Sequence, residues 1–136
     1  MTKVAVLNSA TADVFEQFGE DEIGRVALKA FFGIAHAWNL SRDESRVLLG
    51  APSDSTYYRW RQGKVAAIPR DTLERISVLL GIYKALHILL PVARQADTYV
   101  RRENADFDGN SALAVMMRGN VDDLYRVRRY LDAWRG

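Results

Sequence analysis

The stretch from Pro69 to Leu90 constrains the fold more than any other part of this chain. Proline opens it, and no second proline interrupts it before Pro91, so it reads as one long helix. Its apolar residues fall along two lines. Leu73, Ile76, Leu80, Tyr83, His87 and Leu90 mark one seam, and Leu79, Ile82, Leu86 and Leu89 mark a second. A helix with a single apolar stripe lies on a surface, whereas a helix with two must be covered from two sides. The covering partners can be other helices of this chain or a second copy of it. The second seam is thus a candidate dimer surface and equally a candidate seat for the C-terminal part.

The flanking segments supply further helices. From Asp21 onward, Ile23, Val26, Ala27, Ala30, Phe31, Ile34, Ala37 and Trp38 recur at helical spacing, and Leu28 and Phe32 widen the stripe. Ser41 with Glu44 three residues later is a capping box. The helix it opens carries Val47, Leu48 and Leu49 and stops at Gly50. Ala51–Asp54 reads as a turn, and Ser55–Gln62 as a short helix closed by Gly63. After Pro91 a helix is predicted to about Glu103, then a turn cluster over Asn104–Asn110. Ser111 caps a short helix through Met117, and Asn120 with Asp123 opens the last helix after Gly119. No segment alternates with period two. The pattern predicts an all-α chain of about seven helices, a helix-turn-helix bundle followed by a small C-terminal helical module. The expected divisions are an N-terminal arm over 1–20, a helix-turn-helix domain over 21–90 and a C-terminal module over 91–136.

Two short helices joined by a turn at Gly50 fit the helix-turn-helix plan, in which the second helix enters the major groove of DNA. From Ser55 to Arg70 there are four basic residues and no acidic one, although the formal net charge of all 136 residues is only +2. Charge location, not total charge, is what makes an electrostatic footprint for phosphates. Tyr57 and Trp60, three residues apart, are predicted to face inward. Ser55, Thr56, Tyr58, Arg59 and Gln62 are then the candidates for phosphate and base-edge contacts, with Arg61 and Lys64 suited to phosphates. A solvated basic helix in an ordinary bundle has the same composition.

The last seventeen positions, Asn120–Gly136, form a second amphipathic unit. Val121, Leu124, Val127, Leu131 and Trp134 make one apolar stripe, and Arg126, Arg128, Arg129 and Arg135 crowd the other faces. A helix that carries the chain to its final residue with Trp134-Arg135-Gly136 can enter a partner's cleft. Aromatic and arginine side chains are the residue types that anchor such contacts. Arg128, Arg129, Tyr130, Trp134, Arg135 and Gly136 are the candidate partner-binding residues. The alternative for Leu131 and Trp134 is that they complete this chain's own core.

Other chemistry is poorly supported. The chain has no cysteine, and its two histidines, His36 and His87, lie on separate predicted helices, so no metal site is expected. His87 on an apolar seam reads as a hydrogen-bonded core or interface histidine. Asp106 and Asp108 beside Gly109 supply too little of a calcium loop and read as a turn. There is no phosphate-cradling glycine loop and no nucleophile–base order, so no cofactor and no enzymatic activity are expected. The N-terminal apolar run is too short for a signal-peptide core, and no run approaches a membrane span. The expected location is the cytoplasm.

Two resemblances sharpen this reading. Leu40-Ser41, Leu48-Leu49-Gly50, Ser55-Thr56, Arg59-Trp60 and Gly63-Lys64 resemble the Xre (cro/repressor-like) helix-turn-helix family. Residues 91–136 resemble the toxin-binding domain of Xre/MbcA/ParS-type antitoxins. That resemblance rests on Tyr99-Val100-Arg101-Arg102, Phe107–Leu113, Met116–Gly119 and Asp123–Gly136. It implies a type II antitoxin whose C-terminal region covers the active site of a RES-domain, NAD-consuming toxin. It also implies a homodimer that binds double-stranded operator DNA and represses its own operon. The alternative is a stand-alone helix-turn-helix regulator whose C-terminal module only dimerises.

Overall fold

The computed structural model describes residues 18–136, so the predicted arm falls, up to position 17, outside the described residues. Seven α-helices are present among them: α1 (Glu20–Ala37), α2 (Arg42–Leu48), α3 (Asp54–Arg61), α4 (Arg70–Leu89), α5 (Ala93–Thr98), α6 (Ala112–Met116) and α7 (Val121–Arg135). Two 3-10 turns, Tyr99–Arg101 and Ala105–Phe107, lie between α5 and α6. The extended backbone among the described residues is one isolated bridge between Glu103 and Ser111. The predicted all-α class holds. The helix expected from Pro91 to about Glu103 is shorter, because α5 tightens into the 3-10 turn at Tyr99.

Local chemistry explains most of the boundaries. Both predicted capping boxes are present, Ser41 with Glu44 and Asn120 with Asp123. Ser111 caps α6 by accepting from the Ala114 backbone N–H. Three successive helices end in the same way. At α1 the left-handed residue is Asn39, at α2 it is Gly50, and at α3 it is Gly63. In each, the next residue's N–H reaches back to the carbonyl of Ala35, Arg46 or Arg59. This doubled closure satisfies carbonyls that a helix end leaves without partners. One boundary differs from expectation: the cap of α3 is Ser53, whose hydroxyl accepts from the Thr56 N–H at 3.2 Å. Ser55, expected to open the helix, sits inside its first turn.

α4 is the central element. Leu73, Ile76, Val78, Leu79, Ile82, Ala85 and Leu86 are all buried. α4 packs most extensively on α7 and next on α1; Leu73 and Ile76 of the first seam are buried, while its Leu80, Tyr83, His87 and Leu90 are part-buried. α7 meets α4 at Glu74 and Gly81, and Leu79, Ile82 and Leu86 of the second seam are buried and closed to a second copy. Each such side chain contributes about 1.5–3 kcal/mol on burial, which makes the two-sided coverage of α4 the main source of cohesion.

The two ends of α4 are also tied by polar contacts. Near its start, Thr72 donates to the Leu49 carbonyl at 3.4 Å, and Arg75 pairs with Asp71 at 2.8 Å. That pair lies under Gly50, where an added Cβ would stand 3.0 Å from the Asp71 carboxylate. Near its end, His87 Nε2 is 2.8 Å from Asp97 on α5, and its ring stacks 4.3 Å from that of Tyr83. His87 is thus the hydrogen-bonded, part-buried histidine that its place on the seam suggested.

Candidate functional site

The structure presents two separate surfaces that answer to the two sets of predicted residues. The first is built on α3. Tyr57 and Trp60 turn inward, 6% and 7% exposed. The Tyr57 ring meets Phe32 of α1 edge-on at 5.9 Å. With these two residues fixed against α1, helical spacing turns Ser55, Tyr58, Arg59 and Gln62 outward, and all four are exposed. Tyr58 is 61% exposed.

Thr56 behaves differently from its neighbours. It is half-buried, and its hydroxyl accepts from Ser53 at 3.0 Å and from Arg59 at 3.4 Å. These bonds hold the start of α3 and aim the Arg59 side chain back along the helix. Arg61 is exposed, with its guanidinium over the Phe32 ring at 4.9 Å. Lys64 is exposed just beyond the Gly63 closure.

Asp54, the acidic residue of α3, does not spoil this basic face. Arg42 and Arg46 of α2 approach its carboxylate at 3.1 and 3.4 Å. Arg46 also donates to the Pro52 carbonyl at 3.0 Å. The two arginines neutralise Asp54 and brace the turn that sets α3 against α2. Neither is prominent in the sequence, because their role depends on the folded turn. Beside α3 lies an open cleft of about 430 Å³ bordered by His36, Arg42, Tyr57, Tyr58 and Arg61.

The second surface is at the end of α7. Leu124, Val127 and Leu131 are fully buried, but the stripe leaves the core at Trp134, which is 47% exposed. Trp134 leans on Tyr99 with ring centroids 5.9 Å apart. Tyr130 stacks on Phe107 at 4.8 Å, and its hydroxyl donates to Asp106 at 2.7 Å. Asn104 donates to the Tyr99 hydroxyl at 3.1 Å and sits 3.5 Å from that of Tyr130. Together Tyr99, Tyr130 and Trp134 border a shallow cleft of about 340 Å³, with Arg102 and Glu103 beside them. Burial, and then the neighbouring Tyr130, pushes the Tyr99 phenol up to about 12.

The predicted partner-binding residues do not all share this face. Tyr130 and Trp134 meet at the cleft, and Arg129, Arg135 and Gly136 are exposed. Arg128 departs from the expected outward arginine. It is 9% exposed and pairs with Asp132 at 3.2 Å, and its guanidinium lies against Gly81 of α4. Tyr99 and Asn104 belong to the cleft but carry no sequence signal for it, since a 3-10 turn distant in sequence brings them there. Among the described residues no group of three or more His, Asp or Glu side chains is placed to hold a metal ion. No helix among them is long and apolar enough to cross a membrane.

Comparison with known proteins matches a family domain to each part of the chain. Residues 18–81 match the antitoxin Xre-like helix-turn-helix domain. Residues 85–136 match the antitoxin Xre/MbcA/ParS C-terminal toxin-binding domain. The chain is also similar to the uncharacterized protein y4oB of Sinorhizobium fredii (strain NBRC 101917 / NGR234). The two are 50% identical over 109 residues, which cover 80% of this chain and 84% of that protein.

Proposed function

The chain belongs to the Xre/MbcA/ParS-type antitoxins, and from that premise we propose that it neutralises a RES-type, NAD-consuming toxin by occlusion while α3 binds operator DNA. The helix-turn-helix and the toxin-binding domain are family properties. The RES partner, the covering of its active site and the repression of the operon are our reading. On this reading the chain performs no chemistry of its own. Its work is to fill a cleft and to hold a duplex, both in the cytoplasm.

The observation that carries the proposal is the half-exposed Trp134, held on Tyr99 at the end of a stripe whose Leu124, Val127 and Leu131 are buried. A large aromatic fixed in place before binding loses little freedom on contact and excludes water well, which is how interface anchors act. The flanking Arg129 and Arg135 suit a cleft shaped for a dinucleotide, because guanidinium groups pair with diphosphate oxygens. At the other surface, the exposed Tyr58, Arg59, Arg61, Gln62 and Lys64 give a basic face without an unpaired carboxylate. Ser55 and Thr56 at the start of α3 complete the proposed DNA-contacting set. A homodimer belongs to the same proposal, since helix-turn-helix proteins read two half-sites about one DNA turn apart.

The test is co-expression with the toxin encoded beside this gene. Full-length chain should restore growth and suppress NAD⁺ loss. A chain lacking Ala133–Gly136 should fold yet protect neither. Protection by the truncated chain would remove the end of α7 from the toxin contact. A stand-alone regulator would instead leave NAD⁺ consumption by that toxin unchanged.

A further inference from the structure

We propose that Arg101 is a positioning residue of the DNA-binding unit, so that the toxin-binding module sets the corner from which α2 and α3 are presented. The proposal rests on the reading that α3 binds DNA.

Arg101 lies in the C-terminal module, in the 3-10 turn that also carries Tyr99. Its side chain nonetheless reaches back more than sixty positions, to the junction of α1 and α2. Nε donates to the Trp38 carbonyl at 3.2 Å, and Nη2 donates to the Asn39 carbonyl at 2.7 Å. Both carbonyls belong to the end of α1, where helix carbonyls lack partners and a positive charge is favoured. The same guanidinium meets both carboxylate oxygens of Glu44, at 2.9 and 3.3 Å. Planar, two-pronged pairing of this kind fixes orientation as well as distance.

Glu44 is not a passive acceptor. It is the third residue of α2, and its carboxylate also accepts from the Ser41 N–H at 2.8 Å in the capping box. Arg101 therefore holds the last turn of α1 and the first turn of α2 at once, across a corner that turns through Asn39 in the left-handed region. From α2 the contacts continue to α3. Arg42 and Arg46 reach Asp54, the first residue of α3, and Arg46 holds the Pro52 carbonyl of the intervening turn. A chain of ionic and hydrogen-bonded contacts thus runs from the C-terminal module to the start of the DNA-contacting helix.

Burial alone does not make this corner rigid. The Arg101 and Glu44 side chains are 41% and 23% exposed, so the clamp contributes more to direction than to stability. Base readout is sensitive to such direction, because hydrogen bonds to base edges need accurate placement while phosphate attraction tolerates small errors. Loss of the clamp should lower specific binding and leave non-specific binding nearly intact.

The experiment compares wild type with Arg101→Gln and Glu44→Gln in the full chain. Glutamine at position 44 retains the capping box but loses the ion pair. Affinity is measured for the chain's own upstream DNA and for a scrambled duplex of equal length, over a range of salt. Both variants should lose about tenfold in the ratio of specific to non-specific affinity, a loss in the range expected for coupled contacts. The salt slope should not change, the melting temperature should move little, and toxin should still co-purify. Amide hydrogens of residues 39–49 should exchange faster in both variants. A wild-type ratio with unchanged exchange would overturn the proposal. A salt slope lowered by about one would also overturn it, since it would make Arg101 a direct phosphate contact. If the wild-type chain itself does not distinguish the two duplexes, the DNA reading fails and the proposal falls with it.

Discussion

The guanidinium of Arg128 on α7 rests against the bare backbone of Gly81 on α4, where a Cβ at position 81 would overlap its Nη1 and Cζ atoms. A glycine in the middle of a twenty-residue helix costs about 1 kcal/mol against alanine. Here it permits the close approach of a buried arginine. Asp132 neutralises the charge at 3.2 Å, and Tyr125 of the same helix donates to Glu74 of α4 at 2.6 Å. The helix that ends the toxin-binding module is thereby seated on the helix that closes the DNA-binding one.

Gly81→Ala is expected to lower stability by about 1–2 kcal/mol, the cost of overpacking less the gain in helix propensity. In an Arg128→Ala background the same substitution should be neutral or stabilising, because the obstacle is gone and only the propensity gain remains. Urea unfolding of the four proteins gives the double-mutant cycle. Additive effects would show that the two residues do not constrain each other.

The sequence was legible where local rules decide and silent where folding brings distant residues together. Ser41 with Glu44 and Asn120 with Asp123 announced two helix starts, and Gly50 and Gly63 two helix ends. The pair Tyr57 and Trp60 indicated the inner face of α3 correctly, because their spacing is helical and the first helix offered an aromatic partner. Periodicity places Arg128 on an outward face, since it cannot reveal that a glycine on another helix leaves room for the side chain. Arg101 and Tyr99 stand out in the sequence only through the family resemblance, and their contacts are hidden for the same reason. Their partners, Glu44 and Trp134, lie 57 and 35 positions away.

Trp134→Ala should separate folding from partner binding. The side chain is 47% exposed and rests on the Tyr99 ring, so the folded state loses little. A central interface aromatic, by contrast, contributes about 2 kcal/mol or more, roughly thirtyfold in affinity. Calorimetric titration with a catalytically inactive toxin would measure this, beside a melting curve of the free chain. Unchanged affinity would place the anchor elsewhere.

Replacing Arg59 and Arg61 together by alanine should flatten the salt dependence of DNA binding. Each phosphate contact contributes close to one to the slope of log affinity against log salt, so the double variant should lose about two. Arg61 also covers the Phe32 ring at 4.9 Å, and a small loss of stability is expected in addition. An unchanged slope would remove both side chains from the phosphate contact.

Glu44 should give the acid side of the stability profile a specific component. The hydrogen bonds from Arg101, against a smaller opposing effect of burial, hold its carboxyl below the ordinary carboxylate range. A depressed folded value means stability that is present above the unfolded value of about 4.3 and is lost as pH falls through the folded one. Arg101→Gln should shrink this acid-dependent loss and lower stability at neutral pH by the same small amount, so that the two proteins converge in acid. An identical acid limb in the variant would show that the pair does not contribute in solution.

On the alkaline side the informative group is Tyr99. Burial, then Tyr130, raises its phenol to about 12, against about 10 for an unperturbed tyrosine. The folded state therefore favours the neutral form. The stability this supplies is complete below about pH 10 and is lost as pH rises toward the folded value. Tyr99→Phe keeps the ring beneath Trp134 and removes the ionisable hydroxyl, at the cost of the hydrogen bond from Asn104. The variant should be somewhat less stable than wild type at neutral pH, and the gap should close or reverse between about pH 10 and 12. Urea midpoints measured at intervals across that range decide the matter, because the other tyrosines titrate in both proteins and cancel in the difference. Parallel curves would mean that the Tyr99 phenol ionises freely, and with it that the cleft beside Trp134 is open to water down to its floor.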